Sequence, residues 1–154
     1  MNYACAAGIG AVSGLRSMAG PALVAEAAGS KRLNLNDTPL AWLGSGNTMK
    51  TSALLALGEL VADKLPSTPS RLEPAPLIFR AVSGAVCGYA VCGRNRTRQE
   101  KWGAAIVGAS AALAAAWAGY TWRKNTKLPK FVAALAEDAV AMGAGAAVVS
   151  LVGQ

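Results

Sequence analysis

Four long apolar windows constrain this chain more than any other feature of its sequence. A helix needs roughly 20 apolar residues to cross the hydrocarbon core of a bilayer, and each window is close to that length. A helix of a soluble bundle would carry polar residues along one face, whereas Ser110 is the only polar side chain between Gly103 and Gly119. We therefore predict an all-α integral membrane bundle. Its four full spans are Tyr3 to Gly29, Ala75 to Gly93, Gly103 to Trp122 and Phe131 to Gly153.

A fifth segment, from Thr51 to Pro66, starts as an apolar helix but carries Glu59, Asp63 and Lys64. It is too short and too charged for an ordinary span, so we predict a short acidic half-helix or a re-entrant helix. The length of the chain, 154 residues, is typical of one domain. We expect residues 1–154 to form a single transmembrane domain.

The lysines and arginines between the apolar segments test which segments cross. If all five cross, alternate connections carry seven of these residues on one side and six on the other. If the acidic helix does not cross, the split becomes nine against four. The positive-inside rule favours the second arrangement, with the connections at 30–75 and 123–130 in the cytoplasm. A near-even split would instead suit a protein that inserts in both orientations and pairs antiparallel, and this alternative stays open.

The first window contains Gly20 and Pro21. Proline removes one helical hydrogen bond and clashes with the preceding turn, so we predict that the first helix is broken at Gly20–Pro21, near the middle of the membrane. The window lacks a basic stretch before its apolar part and is longer than the apolar part of a secretory signal. We expect it to be retained in the mature protein.

The net charge of +7 does not indicate nucleic acid as a partner. The basic residues stand in short connections between apolar windows, where flanking positive charge is expected of a membrane protein. We therefore predict contact with membrane lipids, including anionic head groups, and no binding of nucleic acid. The expected location is the bacterial inner (cytoplasmic) membrane, with several passes.

The sequence offers no metal site, cofactor motif or enzymatic constellation. It has no histidine, and its cysteines, Cys5, Cys87 and Cys92, all stand in predicted spans, which fits neither a zinc site nor a disulfide framework. There is also no phosphate-binding glycine loop with its lysine and no nucleophile elbow. We predict no cofactor and no enzyme, although an intramembrane enzyme acting on lipid stays open.

Six ionisable residues stand inside apolar segments, where a charge costs at least a few kcal/mol unless it is paired or hydrated. Glu59 and Asp63 share a helix face because they are four residues apart. The adjacent Glu137 and Asp138 point about 100° apart on a helix, so at most one of them can share a given partner. We predict that two arginines meet these carboxylates at the centre of the bundle. The six candidate site residues are Arg16, Glu59, Asp63, Arg80, Glu137 and Asp138.

Two interpretations of this polar cluster remain. It could form a binding site at membrane depth, in a small transporter or channel for an ion or small polar solute. Four or five helices make a thin wall for a cavity, so we expect a homo-oligomer. Alternatively, the charges only pin the helices together in a non-transporting membrane protein that binds lipid or a partner protein. Glycines four apart, at Gly10 and Gly14 and at Gly84 and Gly88, let helices approach closely, either within one chain or between copies.

Several segments also resemble a known family. They are Gly14-Leu-Arg-Ser-Met-Ala-Gly-Pro21, Gly58-Glu-Leu-Val-Ala-Asp-Lys-Leu-Pro66, Arg80-Ala-Val-Ser-Gly-Ala85, and Leu128-Pro129 followed by Ala134-Leu-Ala-Glu-Asp-Ala139. Together they resemble the bacterial membrane family designated domain of unknown function 4126, across nearly the whole chain. The resemblance implies a membrane location and one compact domain, and it implies no substrate, cofactor or reaction.

Overall fold

All regular elements in the described part of the chain are helical. The computed structural model describes residues 3–36, 38–62, 73–93, 95–127 and 129–152. The prediction of an all-α fold is confirmed for these residues. A short 3-10 turn, Ala41–Gly44, precedes the third helix. The helices are α1 (Tyr3–Leu15), α2 (Ala19–Gly29), α3 (Gly46–Ala62), α4 (Pro74–Val91), α5 (Arg98–Asn125) and α6 (Lys130–Val152).

Within the described residues, three helices are long and apolar enough to cross a membrane. They are α4, α5 and the stretch Val132–Val152 of α6. Their outward faces carry large apolar side chains such as Ile78, Ile106 and Val140, as expected for surfaces that contact lipid. The first apolar window is not a fourth long helix, because it consists of α1 and α2, with 13 and 11 residues.

Helices α1 and α4 both reach the backbone of α5 because the residues at these contacts are small. A Cβ atom on Gly10 or Gly14 of α1 would overlap the backbone of α5, and so would a Cβ atom on Gly84 or Gly88 of α4. These glycine pairs therefore serve packing within the chain. On α5 the matching surface is a stripe of buried small residues four apart, Ala104, Gly108, Ala112 and Ala116.

The contacts fix the direction of each helix. Tyr3 lies against Gly103 and Gly14 lies against Ala112, so α1 and α5 run in the same direction. Gly88 packs on Ala104 and Gly84 on Gly108, so α4 runs the opposite way. Helix α6 is also antiparallel to α1. We call the end of the bundle where α1 begins the entry side, and the other end the far side.

Helix α2 folds back along α1. A Cβ atom on Gly20 would overlap the Ser13 hydroxyl, and Val12 and Leu23 both lie next to Gly145 of α6. In one continuous helix, residues 13 and 20 would be about 10 Å apart along the axis. Helices α1 and α2 therefore form a hairpin with both outer ends on the entry side. We call residues 16–18 the hairpin tip.

The position of the predicted break at Gly20–Pro21 is thus corrected. The chain leaves helical geometry at residues 16–18 and reverses direction there. Pro21 is the third residue of α2, where helical N–H groups have no partner within the helix, so proline costs no hydrogen bond. The small size of Gly20 lets the first turn of α2 lie against Ser13. Gly20 and Pro21 mark the start of a second helix.

Helix α3 runs from the entry side toward the far side. Near its start, Met49 contacts Gly29 at the end of α2, and Glu59 reaches the hairpin tip. Because α4 begins on the far side, the chain passes from one end of the bundle to the other between Gly46 and Pro74. Among the described residues, the element that turns back is therefore the α1–α2 hairpin. The predicted acidic half-helix or re-entrant helix is described as far as Ala62, and the rest of its predicted range, 63–66, lies outside the described residues.

Candidate functional site

The hairpin tip lies about halfway along the bundle. Gly14, two residues before the tip, faces Ala112 in the middle of the 28-residue α5. At such a reversal the last carbonyl groups of α1 and the first N–H groups of α2 have no partner within their own helices. The C-terminus of a helix carries partial negative charge and the N-terminus partial positive charge. Both ends meet here inside the molecule and need partners from other elements.

Glu59 of α3 supplies the partner for the N-terminus of α2. Its carboxylate accepts hydrogen bonds from the Ser17 N–H at 2.9 Å, the Ser17 hydroxyl at 2.5 Å and the Met18 N–H at 2.9 Å. A carboxylate at this position satisfies two main-chain donors and opposes the positive end of the helix dipole. Glu59 is half-buried, and it fixes where the chain reverses.

Arg80 of α4 supplies the partner for the C-terminus of α1. Its guanidinium is buried and donates from Nη1 to the Gly14 carbonyl oxygen at 2.5 Å. A cation near the last carbonyl groups of a helix opposes their negative partial charge. The two helix ends at the tip are therefore capped by side chains of opposite charge, from two other helices.

Arg16, within the tip, forms the ion pair that joins it to α6. Its Nε donates to Asp138 Oδ1 at 2.6 Å, and Nη2 pairs with the same oxygen. Arg16 is 3% exposed and Asp138 7%. Nη1 also approaches the main-chain oxygen of Glu59 at 3.5 Å. The prediction that a buried arginine meets a carboxylate at the centre of the bundle is confirmed for this pair.

The second carboxylate oxygen of Asp138 differs from the first. Arg16 binds only Oδ1, and Oδ2 is buried with no hydrogen-bond partner among the residues that the structure describes. A buried acceptor without a partner carries an unfavourable desolvation energy. This oxygen lies beside the tip and is able to accept a hydrogen bond from a donor that enters there.

Glu137 belongs to a different pair. Arg123, in the last turn of α5, donates from Nε to both carboxylate oxygens at 3.0 Å and from Nη2 to Oε2 at 2.8 Å. This pair ties α5 to α6 near the far side. The adjacent residues Glu137 and Asp138 thus have different partners, as their separation around the helix predicts. Asp63, the remaining candidate, lies outside the described residues.

Sequence reasoning missed Ser17, Met18 and Arg123. The first two act mainly through main-chain N–H groups, which no side-chain pattern reveals. Arg123 was counted only as a flanking charge. The short connection between α5 and α6, residues 126–129, was the available signal, because it brings the end of one helix near the first turns of the next.

Within the described ranges, no three histidine, cysteine, aspartate or glutamate side chains are grouped so that they could hold a metal ion. Cys5, Cys87 and Cys92 form no disulfide bond with another described residue. The tip is therefore built from ion pairs and main-chain groups. Such groups can bind an ion or a polar solute by charge and hydrogen bonding.

Comparisons with known proteins place the chain in a family. No curated protein and no solved structure matches it. A family model matches residues 3–152, which is nearly the whole chain and includes the tip, Glu59 and Asp138. The resemblance seen in the sequence is confirmed, and the chain belongs to the family described as domain of unknown function (DUF4126).

Proposed function

We propose that this protein is a small membrane transporter or channel for an ion or small polar solute, and that the solute passes the hairpin tip. The observation that carries the proposal is a chain reversal halfway along an apolar bundle, with ionised side chains bound to both helix ends. Non-helical backbone at membrane depth is tolerated where it is buried in protein or lines a water-filled cavity. Ionisable residues at that depth commonly mark the path of a solute or proton.

In this proposal the α1–α2 hairpin is re-entrant, and four segments cross the membrane. Three of them are α4, α5 and α6. The fourth begins with α3, whose 17 residues span about 25 Å at the rise of an α-helix. Discontinuous helices that end at mid-membrane form the binding sites of many transporters, because their free N–H and carbonyl groups bind solutes directly.

Glu59 is the group that has to move in this mechanism. Its carboxylate occupies the N–H groups of Ser17 and Met18, the donors that a solute would use. Rotation of the Glu59 side chain away from the tip would release them. The free oxygen of Asp138 offers a nearby acceptor to the same solute.

The test is solute flux in vesicles that contain the purified protein. Fluxes of Na⁺, K⁺, H⁺ and Cl⁻ are followed with ion-selective dyes, and those of urea and glycerol by light scattering. We expect one of these fluxes to exceed that of protein-free vesicles, and Glu59→Gln to lower it at least tenfold while the protein stays folded. The matched control is Glu26→Gln, which changes an exposed glutamate of α2. The absence of all six fluxes in the wild type would contradict the proposal.

One observation favours a second candidate, a non-transporting membrane protein with structural ion pairs that binds lipid or a partner protein. Glu59 and Arg80 both cap helix ends, and this alone would account for their charges. In that case Glu59→Gln lowers the melting temperature, and no flux depends on it. The two candidates therefore differ in what Glu59→Gln changes: flux through a folded protein in the first, and the melting temperature without any flux in the second.

A further inference from the structure

We infer that the protein inserts into the membrane in both orientations and that two oppositely oriented copies pair through the outward face of α3. This inference concerns assembly and does not depend on the proposed transport. It rests on the apolar face of α3, on the position of Gly58 and Glu59, and on the distribution of lysine and arginine about the fold.

In the part of the chain that the structure describes, helix α3 packs on other elements along one side. It packs mainly on α2 and the 3-10 turn, and Ser52 is its buried residue among those with described side chains. On the opposite side, Leu54 and Leu57 are 70% and 62% exposed. This face is therefore a continuous apolar surface on the outside of the bundle.

Gly58 stands on this apolar face and contacts no other element among the described residues. A glycine inside a helix costs about 1 kcal/mol relative to alanine. At Gly84 and Gly108 the absence of a side chain lets two backbones touch, but no described residue lies within 4 Å of the position that a Cβ atom on Gly58 would take. An open glycine on an apolar face lets a helix of another molecule approach closely.

The position of Glu59 indicates whether lipid or protein contacts this face of α3. It follows Gly58, is half-buried, and lies at the depth of the hairpin tip. Lipid chains cover leucine well, but Glu59 stays partly exposed although its carboxylate is hydrogen-bonded at the tip, and an ionisable side chain beside lipid chains carries a free-energy cost. Gly143 of α6 is also open but has only apolar neighbours, so lipid suffices there. A protein surface is the better cover for α3.

The distribution of basic residues identifies that protein as an inverted second copy. Because the hairpin turns back and α4 begins on the far side, the connections on the entry side carry seven lysines and arginines and those on the far side carry six. Lys64, Arg71 and Arg94 lie outside the described residues and are counted by their order in the sequence alone. The expected split of nine against four required the acidic helix to turn back. With the near-even split, the positive-inside rule favours neither orientation, so both insert.

The geometry of such a pair agrees with the position of Gly58. Two inverted copies are related by a two-fold axis in the plane of the membrane, so a residue at mid-depth meets its own equivalent. Gly58 lies at the depth of the hairpin tip, about halfway along the bundle. The two α3 helices then cross antiparallel near Gly58, with Leu54 and Leu57 of each copy packed on the other.

Labelling in intact cells tests the two orientations. Single cysteines are introduced by Asn95→Cys on the entry side and Lys127→Cys on the far side, in a chain whose three native cysteines are replaced by alanine. With a membrane-impermeant maleimide we expect each site to be labelled to about half of its value in permeabilised cells. Full labelling of one site and none of the other would overturn the inference.

Disulfide cross-linking in membranes tests the interface. Oxidation of Leu57→Cys, in the same cysteine-free chain, is expected to give a covalent dimer. The matched control is Ile106→Cys, which is 65% exposed on α5 and should give at least tenfold less dimer. Equal dimer from both variants, or none from Leu57→Cys, would overturn the proposed interface.

Added lysines test whether the dimer requires both orientations. Adding lysines by Asn95→Lys and Gln99→Lys should fix one orientation, and Asn125→Lys with Thr126→Lys should fix the other. Either set alone should lower the Leu57→Cys dimer at least tenfold, and co-expression of both sets should restore it. A dimer that persists in a chain shown by labelling to have one orientation would exclude antiparallel pairing.

Discussion

The hairpin tip and the glycine contact on α5 lie next to each other, but different forces hold them together. At the contact, Gly84 and Gly108 bring two backbones together without charged groups. At the tip, the chain reverses, and Glu59 and Arg80 bind the helix ends that the reversal leaves without partners. Close packing admits no other molecule, whereas capping by a side chain can be exchanged for another ligand. This difference is why we assign function to the tip.

The largest effect is expected from filling the glycine contact. Gly108→Val places a side chain where α4 backbone already lies, so α4 has to move away from α5. We expect a loss of more than about 3 kcal/mol, at the upper end for overpacking, and little folded protein. Gly143→Val is the control, because its position is open, and it should cost less than about 1 kcal/mol. Thermal unfolding in detergent measures both, and similar losses would contradict the assigned packing.

The next effect concerns the buried ion pair at the tip. Asp138→Asn removes the negative charge of the buried pair with Arg16, and removing one partner of a buried pair costs about 3–5 kcal/mol. Replacing both residues, by Arg16→Met with Asp138→Leu, should recover more than half of that loss, because it removes both charges of the pair together. A double variant that is less stable than Asp138→Asn in thermal unfolding would contradict the view that the two residues stabilise the fold only by compensating each other's charge.

A smaller effect is expected from the caps at the tip. Glu59→Ala removes the acceptor of the Ser17 and Met18 N–H groups, and loss of a helix cap costs about 0.5–2 kcal/mol. Glu59→Gln keeps one oxygen acceptor and should cost less than the alanine variant. Thermal unfolding measures the stability of both variants. A larger loss of stability for Glu59→Gln than for Glu59→Ala would contradict the hydrogen bonds described at the tip.

The smallest effect is expected at the far side. Arg123→Gln breaks a two-point ion pair with Glu137 whose arginine is partly exposed, so solvent reduces its contribution to about 1 kcal/mol or less. Stability should fall slightly, and any flux through the tip should be unchanged. A tenfold loss of flux in this variant would move the functional site away from the hairpin tip.

The sequence was sufficient for some of these features and not for others. The long apolar windows predicted α4, α5 and α6, and the buried charges predicted that arginines meet carboxylates, as Arg16 meets Asp138, but not which carboxylate each arginine binds. The reversal at residues 16–18 could not be predicted, because 27 mostly apolar residues resemble one span by length alone. The sequence does not show whether Pro21 interrupts a helix or stands in the first turn of a new one.

The role of Glu59 also could not be predicted from the sequence, for a physical reason. A carboxylate at membrane depth can be compensated by an arginine or by main-chain N–H groups. Which of these it finds depends on a contact between residues 42 positions apart. Once the reversal at the tip is known, the N–H groups of α2 need an acceptor, and α3 brings Glu59 to that place.

The distance between the two outer ends of the hairpin tests this account most directly. Spin labels on Tyr3→Cys and Ser30→Cys, in the chain without native cysteines, report that distance by pulsed electron paramagnetic resonance in lipid nanodiscs. Since packed helices lie 8–10 Å apart, the hairpin predicts a separation of roughly 10–20 Å. One continuous span would place the labels about 40 Å apart at 1.5 Å per residue, and that result would contradict the account.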